Sequence, residues 1–326
     1  MPNSELSYVF STAREMAAEM YSRFPPMRPL ERPKGYARGI DYYAQGDLAR
    51  VIANIYLAYG RKSGRYPNLM NPLLYSEKLN SMKLLAWMKI PESGNKLMTD
   101  SFIPSEARSF LRTPEIIWRS TQAVLPQNES IENGDYFLKA NHGSGFLRRI
   151  RFPLTQQTRS ALESLASRWL RASYGHPLGE WWYNVFERAI FLERSVTRRN
   201  PSATILFFTF RGRVRLISIE EKIMDGSGDT RVNVLDSSFR FLPEQIAGTE
   251  RVAPFSLTRG TKNKLLASAE AVGRQHEAVR VDFILGDDNE IYLNEVTFCN
   301  DAGLPFASRE RDLLLGRAWG NCSFLK

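Results

Sequence analysis

The sequence predicts an α+β fold, and three observations carry that expectation. The first third has apolar residues at helical spacing, the last third is rich in short strands grouped as hairpins, and helices and strands mix without the strict alternation of a doubly wound parallel sheet. With 326 residues, 43% of them hydrophobic, the chain can bury one large core or two modest ones. The 19 Phe, 13 Tyr and 6 Trp argue against wholesale disorder, because disordered chains lack such side chains.

The first predicted helix runs from Leu6 to Phe24 on a stripe of Leu6, Val9, Phe10, Ala13, Met16, Ala17, Met20 and Tyr21, and Pro25-Pro26 ends it. A proline-rich basic stretch to Lys34 reads as a linker or strap. A second helix starts at Asp47, carries Leu48, Val51, Ile52, Ile55 and Tyr56, and stops at Gly60. Ser76 is the expected N-cap of a third, with Leu79, Met82, Leu85 and Met88 on one face. These stripes are expected to pack a core.

Further along, Asp135 to Ala140 reads as a strand, followed by the loop Asn141-His-Gly-Ser-Gly145 and a second strand from Phe146 to Phe152, closed by Pro153. A Walker-type phosphate loop would lead into a helix and carry Gly-Lys-Ser/Thr, which this loop lacks. A helix bearing Leu162, Leu165, Ala166, Trp169 and Leu170 then runs towards Gly175. Arg188 to Arg194 is a strand candidate, and Ala203–Phe210 with Arg213–Ile219 forms a hairpin around Arg211-Gly212. A helix near Lys262–His276 precedes a last hairpin, Val279–Leu285 and Glu290–Phe298, turned at Gly286 to Asn289.

The balance of 44 Lys+Arg against 35 Asp+Glu leaves a net charge of +9. Nucleic acid, an anionic membrane surface and a soluble polyanion all suit that sign. The basic residues are scattered, with local groups at Arg148, Arg149 and Arg151, at Arg194, Arg198 and Arg199, and at Arg211, Arg213 and Arg215. No basic stripe or recognised motif favours nucleic acid. Two cysteines, Cys299 and Cys322, and three isolated histidines offer neither a disulfide framework nor a zinc centre. No apolar run approaches the roughly 18 residues of a membrane span, and the N-terminus lacks signal-peptide character. The expectation is a cytoplasmic protein whose contact with a membrane, if any, is peripheral.

Two groups of residues suggest chemistry. Lys139 stands on a strand beside a loop whose two glycines let backbone N–H groups turn inward, which suits a polyphosphate; an ordinary hairpin turn with an exposed lysine has the same sequence. His142 is a further phosphate contact on this reading. In the last hairpin, a four-residue turn sets Asp282 opposite Leu293 and Arg280 opposite Glu295. Arg280, Asp282, Glu295 and Thr297 then share one face, with Val279, Val281, Phe283, Tyr292, Val296 and Phe298 on the other. Two carboxylates brought to about 4–6 Å repel by a few kcal/mol. Arg280 offsets part of that and a divalent cation more, with oxygen-only ligands suiting Mg²⁺. A solvated cross-strand ion pair is the alternative. Glu193, ending the apolar strand Ala189-Ile-Phe-Leu, can accept hydrogen bonds from a ribose or a base, or simply meet solvent. Glu180-Trp-Trp-Tyr183 is compatible with a purine platform, though tryptophans more commonly pack a core.

In order along the chain, several motifs resemble the ATP-grasp superfamily, specifically its TupA-like branch, named for teichuronopeptide synthesis. They are Asn71-Pro-Leu-Leu-Tyr-Ser-Glu-Lys78, Phe137-Leu-Lys-Ala-Asn-His-Gly-Ser-Gly145, Glu180-Trp-Trp-Tyr183, Phe210-Arg-Gly-Arg213, Val279-Arg-Val-Asp-Phe283 and Asn294-Glu-Val-Thr-Phe298. The resemblance implies two α+β subdomains gripping ATP behind a helical N-terminal extension: residues 1–98 helical, 99–190 with the phosphate loop, 191–326 with the hinge and metal strands. It implies that Lys139 meets the α- and β-phosphates while His142, Gly143, Ser144 and Gly145 close over them. Glu193, Arg194, Ser195 and Val196 would flank the adenine, Asp282, Glu295 and Thr297 would hold Mg²⁺, and Arg280 would face the transferred phosphate. The implied activity is ATP-dependent carboxylate–amine ligation, joining an amino acid or peptide to an acidic, uronic-acid-type glycan precursor in cell-surface polysaccharide synthesis. A kinase using the same grip on ATP and a non-catalytic scaffold remain alternatives. The pattern departs at Ser101 and at Leu206, where the family carries lysines; Arg148, Arg149 and Arg194 are the arginines nearest the motifs.

Overall fold

The computed structural model describes residues 3–90, 92–198, 203–222, 230–243, 257–288 and 290–325; Arg199 and Asn289 lie outside them. In chain order the helices are α1 (Asn3–Arg23), α2 (Gly39–Tyr42), α3 (Gln45–Ser63), α4 (Tyr75–Leu85), α5 (Gln156–Arg171), α6 (Arg259–Gly273) and α7 (Arg309–Trp319). The strands are β1 (Tyr36–Ala37), β2 (Met88–Lys89), β3 (Ile116–Ser120), β4 (Gly134–Ala140), β5 (Leu147–Phe152), β6 (Ile190–Arg194), β7 (Ala203–Phe210), β8 (Arg213–Lys222), β9 (Thr230–Leu235), β10 (Ala278–Leu285) and β11 (Ile291–Thr297). The class is α+β, as the mixed pattern of the sequence predicts. None of the described helices is long and apolar enough to cross a membrane. The chain forms two compact units, Met1–Ser93 with Gly175–Val185 and Phe298–Lys326, and Gly94–Tyr174 with Phe186–Thr297.

The first unit is helical. α1 buries Val9, Ala13, Ala17 and Met20, a stripe one helical face wide, and packs along α3. α3 runs three residues past the expected stop at Gly60: Gly60 stays helical beside the Tyr66 ring, and the left-handed turn that ends the helix falls at Gly64, φ 72°. α4 also begins differently from expectation. Ser76 lies inside the helix, where its N–H and hydroxyl both donate to Asp312, at 2.8 and 2.5 Å. The Glu77 carboxylate caps the end instead, accepting from the N–H groups of Leu73 and Leu74. Met88 belongs to β2 rather than to the helix.

Glu180-Trp-Trp-Tyr183 belongs to this unit, and Trp181 and Trp182 are fully buried. The Trp181 indole N–H donates to the Lys83 carbonyl at 2.9 Å. Lys83 is itself fully buried and its ammonium donates to the carbonyls of Leu178 and Ala302, at 2.6 and 2.7 Å. Ala302 lies in a run of three consecutive left-handed residues, Asp301, Ala302 and Gly303. Burial pushes the Glu180 carboxyl up to about 7, an effect that Lys83 only partly offsets, and burial lowers the Lys83 ammonium. The folded chain therefore holds the Glu180 proton more tightly than the unfolded chain does. This contribution to stability is fully present below the ordinary glutamate range and is lost as pH rises through about 7. Glu180→Gln is expected to flatten that dependence and to raise stability at pH 8 by up to about 3 kcal/mol. Urea unfolding at pH 5 and pH 8 checks this; an unchanged slope with pH in the variant would refute it.

The second unit contains two antiparallel sheets, of order β3-β6-β4-β5 and β11-β10-β7-β8-β9. β3 and β9 were not anticipated from the sequence. In the four-stranded sheet, Tyr136, Leu138, Ala140, Ile150, Phe152, Ile190 and Leu192 bury one face against Leu162, Ala166 and Trp169 of α5. In the five-stranded sheet, α6 packs against β7, β8 and β10.

The β10–β11 register corrects the expectation. Leu285 pairs with Ile291 and Phe283 with Leu293; a bulge then leaves Asn294 without an opposite residue, so that Asp282 pairs with Glu295 and Arg280 with Thr297. Arg280, Asp282, Glu295 and Thr297 still share a face. Tyr292, opposite Ile284, moves onto that face, and Leu293 takes its place among the apolar residues.

Candidate functional site

One face of the four-stranded sheet is core, so the period-2 alternation sends the other set of side chains to the opposite side. These are Asp135, Phe137 and Lys139 of β4, Leu147, Arg149 and Arg151 of β5, Phe191 and Glu193 of β6, and Ile116 of β3. Together with Lys96, Thr204, Ile284, Leu293, Asn294 and Glu295 they line a cavity of about 490 Å³ within the second unit. That volume falls in the range of small-molecule and cofactor sites, roughly 300–1,000 Å³. The cavity has an apolar part, with Phe137, Phe191, Ile284 and Leu293, and a strongly charged part.

Several of the charges are paired. Lys139, only 11% exposed, forms a very short ion pair with Glu193 and lies 3.5 Å from the Asn294 amide oxygen. Lys96 donates to the Gly143 carbonyl at 2.8 Å and to Glu295 at 3.0 Å. Arg280 grips Asp282 with two bonds, 2.8 and 2.7 Å, and reaches the Thr297 hydroxyl at 3.3 Å. Burial opposes the Arg280 charge, but Asp282 more than compensates and holds the guanidinium above its ordinary value.

The glycine loop is shaped by two left-handed residues, Gly143 at φ 75° and Gly145 at φ 79°. A Cβ at Gly143 would stand 2.7 Å from the Tyr174 ring, whereas the space beside Gly145 is open. Ser144 and Gly145 are exposed and line the cavity. His142 does not: it is fully buried, its Nε2 meets the Ala172 carbonyl at 3.2 Å and its ring packs on Phe146. Burial, and then the charge of Arg188, hold it below the ordinary histidine range, hence neutral. The sequence expectation of a phosphate contact at His142 is corrected to a support beneath the loop.

The segment Glu193 to Val196 begins on the last two residues of β6. Its backbone is largely committed: the N–H groups of Arg194 and Ser195 donate to the carbonyls of Glu115 and Asp135, and the Val196 carbonyl accepts from Asp287 N–H. Of the arginines nearest the motifs, Arg148 and Arg149 line the cavity, and Arg194 instead pairs with Glu115 and Glu132. The predicted residues Lys139, Ser144, Gly145, Glu193 and Glu295 thus come together around one space. Asp282 adjoins it across the β10–β11 ladder, and His142, Gly143, Arg194, Ser195, Val196, Arg280 and Thr297 lie outside the lining. Sequence reasoning missed Lys96 and Asn294. Lys96 carries no motif of its own, and Asn294 enters the cavity only because of the bulge.

No family model and no curated protein matches the sequence. Solved structures do. Those similar to it include ATP-grasp and amino-acid ligases. ATP-grasp ligase PsnB, complexed with a phosphomimetic variant of its minimal precursor, Mg and ADP, is 12% identical over 77% of this chain and 62% of its own, TM-score 0.38. An L-amino acid ligase from Bacillus licheniformis is 15% identical over 71% and 51%, TM-score 0.41. The VanG D-Ala:D-Ser ligase from Enterococcus faecalis is 12% identical over 75% and 61%, TM-score 0.42. This chain spans between half and two thirds of the length of these structures.

The oxygen donors at and beside the cavity suit a magnesium nucleotide. Asp282, Glu295 and Thr297 present only hard oxygen atoms, and no group of three His, Cys, Asp or Glu able to hold a metal occurs among the described residues. A cation bound here would use two carboxylates and complete its shell with phosphate oxygens and water, which is how Mg²⁺ is commonly held. The open side of Gly145, the exposed loop and the two lysines provide donors for phosphate.

Proposed function

We propose that the chain is an ATP- and Mg²⁺-dependent carboxylate–amine ligase of the ATP-grasp type. One observation carries the reading: within a single cavity, Lys139 and Lys96 stand beside a left-handed glycine loop, and Lys96 meets Glu295. On this reading the purine lies against Phe137, Phe191, Ile284 and Leu293 near residues 193–196, and the lysines and loop amides meet the phosphates. Glu295, Asp282 and Thr297 hold Mg²⁺, which supplies charge neutralisation. Arg280 orients the group being phosphorylated once Asp282 turns to the metal. On this reading the two sheets are the two gripping subdomains, proposed at 99–190 and 191–326 behind the helical extension 1–98, except that β6 completes the first sheet and residues 175–185 and 298–326 belong to the helical unit.

The reaction proposed transfers the γ-phosphoryl group of ATP to a carboxylate oxygen, leaving ADP. An amine then attacks the acyl carbon, loses a proton, and expels inorganic phosphate to give an amide. The net charge of +9 suits an acidic carboxylate partner, and we assign that partner to uronic-acid-type precursors of surface polysaccharide in the cytoplasm, with an amino acid or peptide as the amine. A second reading, a non-catalytic scaffold, has its own observation: Leu206, where the resemblance expects a lysine, is buried directly opposite Asp282.

Calorimetry with MgATP, followed by mass spectrometry of products from a panel of uronates and amino acids, tests both. Saturable binding with ADP, phosphate and an amide supports the ligase. A phosphorylated acceptor would make the protein a kinase instead. Binding without turnover selects the scaffold, and no binding at millimolar MgATP refutes the nucleotide reading.

A further inference from the structure

Each cation expected to meet a phosphate is already neutralised by an acid from the same cavity region: Lys139 by Glu193, Lys96 by Glu295, and Arg280 by Asp282. Lys96 joins two parts of the unit by two short bonds, whereas Lys139 reaches β11 only through the Asn294 amide oxygen at 3.5 Å. It donates to the carbonyl of Gly143, inside the glycine loop of the four-stranded sheet, and to Glu295, on β11 of the five-stranded sheet. The segment that carries it is itself fixed. Lys96 N–H donates to the Asn141 carbonyl at 2.9 Å, and the Asn95 amide oxygen accepts from both Leu97 N–H and the Asn141 side chain. At 18% and 26% exposure, Lys96 and Glu295 are sheltered enough for their attraction to exceed that of a surface pair.

We infer that Lys96 is a latch, which holds the glycine loop to the metal strand in the nucleotide-free protein and is released only when phosphate takes Lys96 and Mg²⁺ takes Glu295. The inference rests on the nucleotide reading above and deepens it. A phosphate arriving alone must compete with Glu295 for Lys96, and a cation arriving alone must compete with Lys96 for Glu295. Arriving together, each relieves the exchange that the other requires. Nucleotide and metal are therefore positively linked through this pair, and such couplings typically amount to about 5–150-fold in affinity.

Two measurements test the latch. The first is calorimetry of ATP in EDTA and in excess Mg²⁺. Glu295→Gln removes the competitor of the phosphate while leaving a side chain of the same size, so Mg-free ATP should bind the variant about five- to tenfold more tightly than wild type. Added Mg²⁺ should then improve binding less than it does in wild type. Wild type that binds MgATP, with a variant whose Mg-free affinity is unchanged or weaker, overturns the latch and leaves the nucleotide reading intact. The second measurement needs no nucleotide: hydrogen exchange of the 141–147 amides in the free protein should accelerate several-fold in Lys96→Met, whose side chain keeps its length but loses both bonds. Unchanged exchange there overturns the latch even if no nucleotide binds.

Discussion

Lys139→Met should weaken MgATP binding by about 10- to 100-fold, the cost of removing one hydrogen bond between charged groups at about 1.5–3 kcal/mol. The lysine stands on β4 where the chain enters the glycine loop, and β4 is central in its sheet, paired on both sides by β5 and β6. Its position is thus set by the ladder rather than by a mobile loop. The single substitution has a second consequence, because Glu193, 9% exposed, would lose its cation. Breaking one side of a buried ion pair commonly costs about 3–5 kcal/mol. The paired variant Lys139→Met/Glu193→Gln separates the two effects by removing both charges, and it should melt near the wild-type temperature while binding as weakly as the single variant. Calorimetry and thermal unfolding of both variants check this. A folded double variant with wild-type affinity would remove Lys139 from the site.

Asp282→Ala should destabilise the second unit by about 3–5 kcal/mol. Its carboxylate, 4% exposed, receives both nitrogens of the Arg280 fork, and without it a guanidinium remains charged in a space with little water. Asp282→Asn retains the volume but not the charge and should recover only a minor part of the loss. Arg280→Met/Asp282→Leu removes the buried charges together and should recover most of it. Chemical unfolding with coincident fluorescence and circular dichroism measures each. A loss below about 1 kcal/mol for the alanine variant would place the pair in solvent. The prediction also bears on function: a metal recruiting Asp282 must turn the carboxylate away from Arg280, which frees the guanidinium for an anionic substrate.

The site was partly legible in the sequence, and particular residues show why only partly. Lys139 and the Gly143–Gly145 loop were readable because their chemistry is local: a strand, two glycines and a lysine within seven positions. Arg280, Asp282, Glu295 and Thr297 were placed on one face because side chains alternate along a strand whatever its partner. Their pairing was not readable. Leu285 meets Ile291 rather than Glu290, which moves the register one step, and the bulge at Asn294 moves it one more, so that Asp282 meets Glu295 two positions beyond the expected Leu293. His142 looked like a loop donor because nothing local reveals that Phe146 and the end of α5 cover it. The caps of α3 and α4 moved for a similar reason, since Gly60 meets Tyr66 and Ser76 meets Asp312, far along the chain.

By itself the sequence determined the α+β class, most elements and their faces, and the charged residue types that each strand face carries, because periodicity and turn chemistry act over a few neighbouring positions. Only the tertiary structure decided which charges meet: Lys96 with Glu295 across 199 positions, Lys139 with Glu193 across 54. Ion pairs depend on distance in space, and the strand order that brings those positions together is set by the packing of whole sheets, which no short window of residues contains.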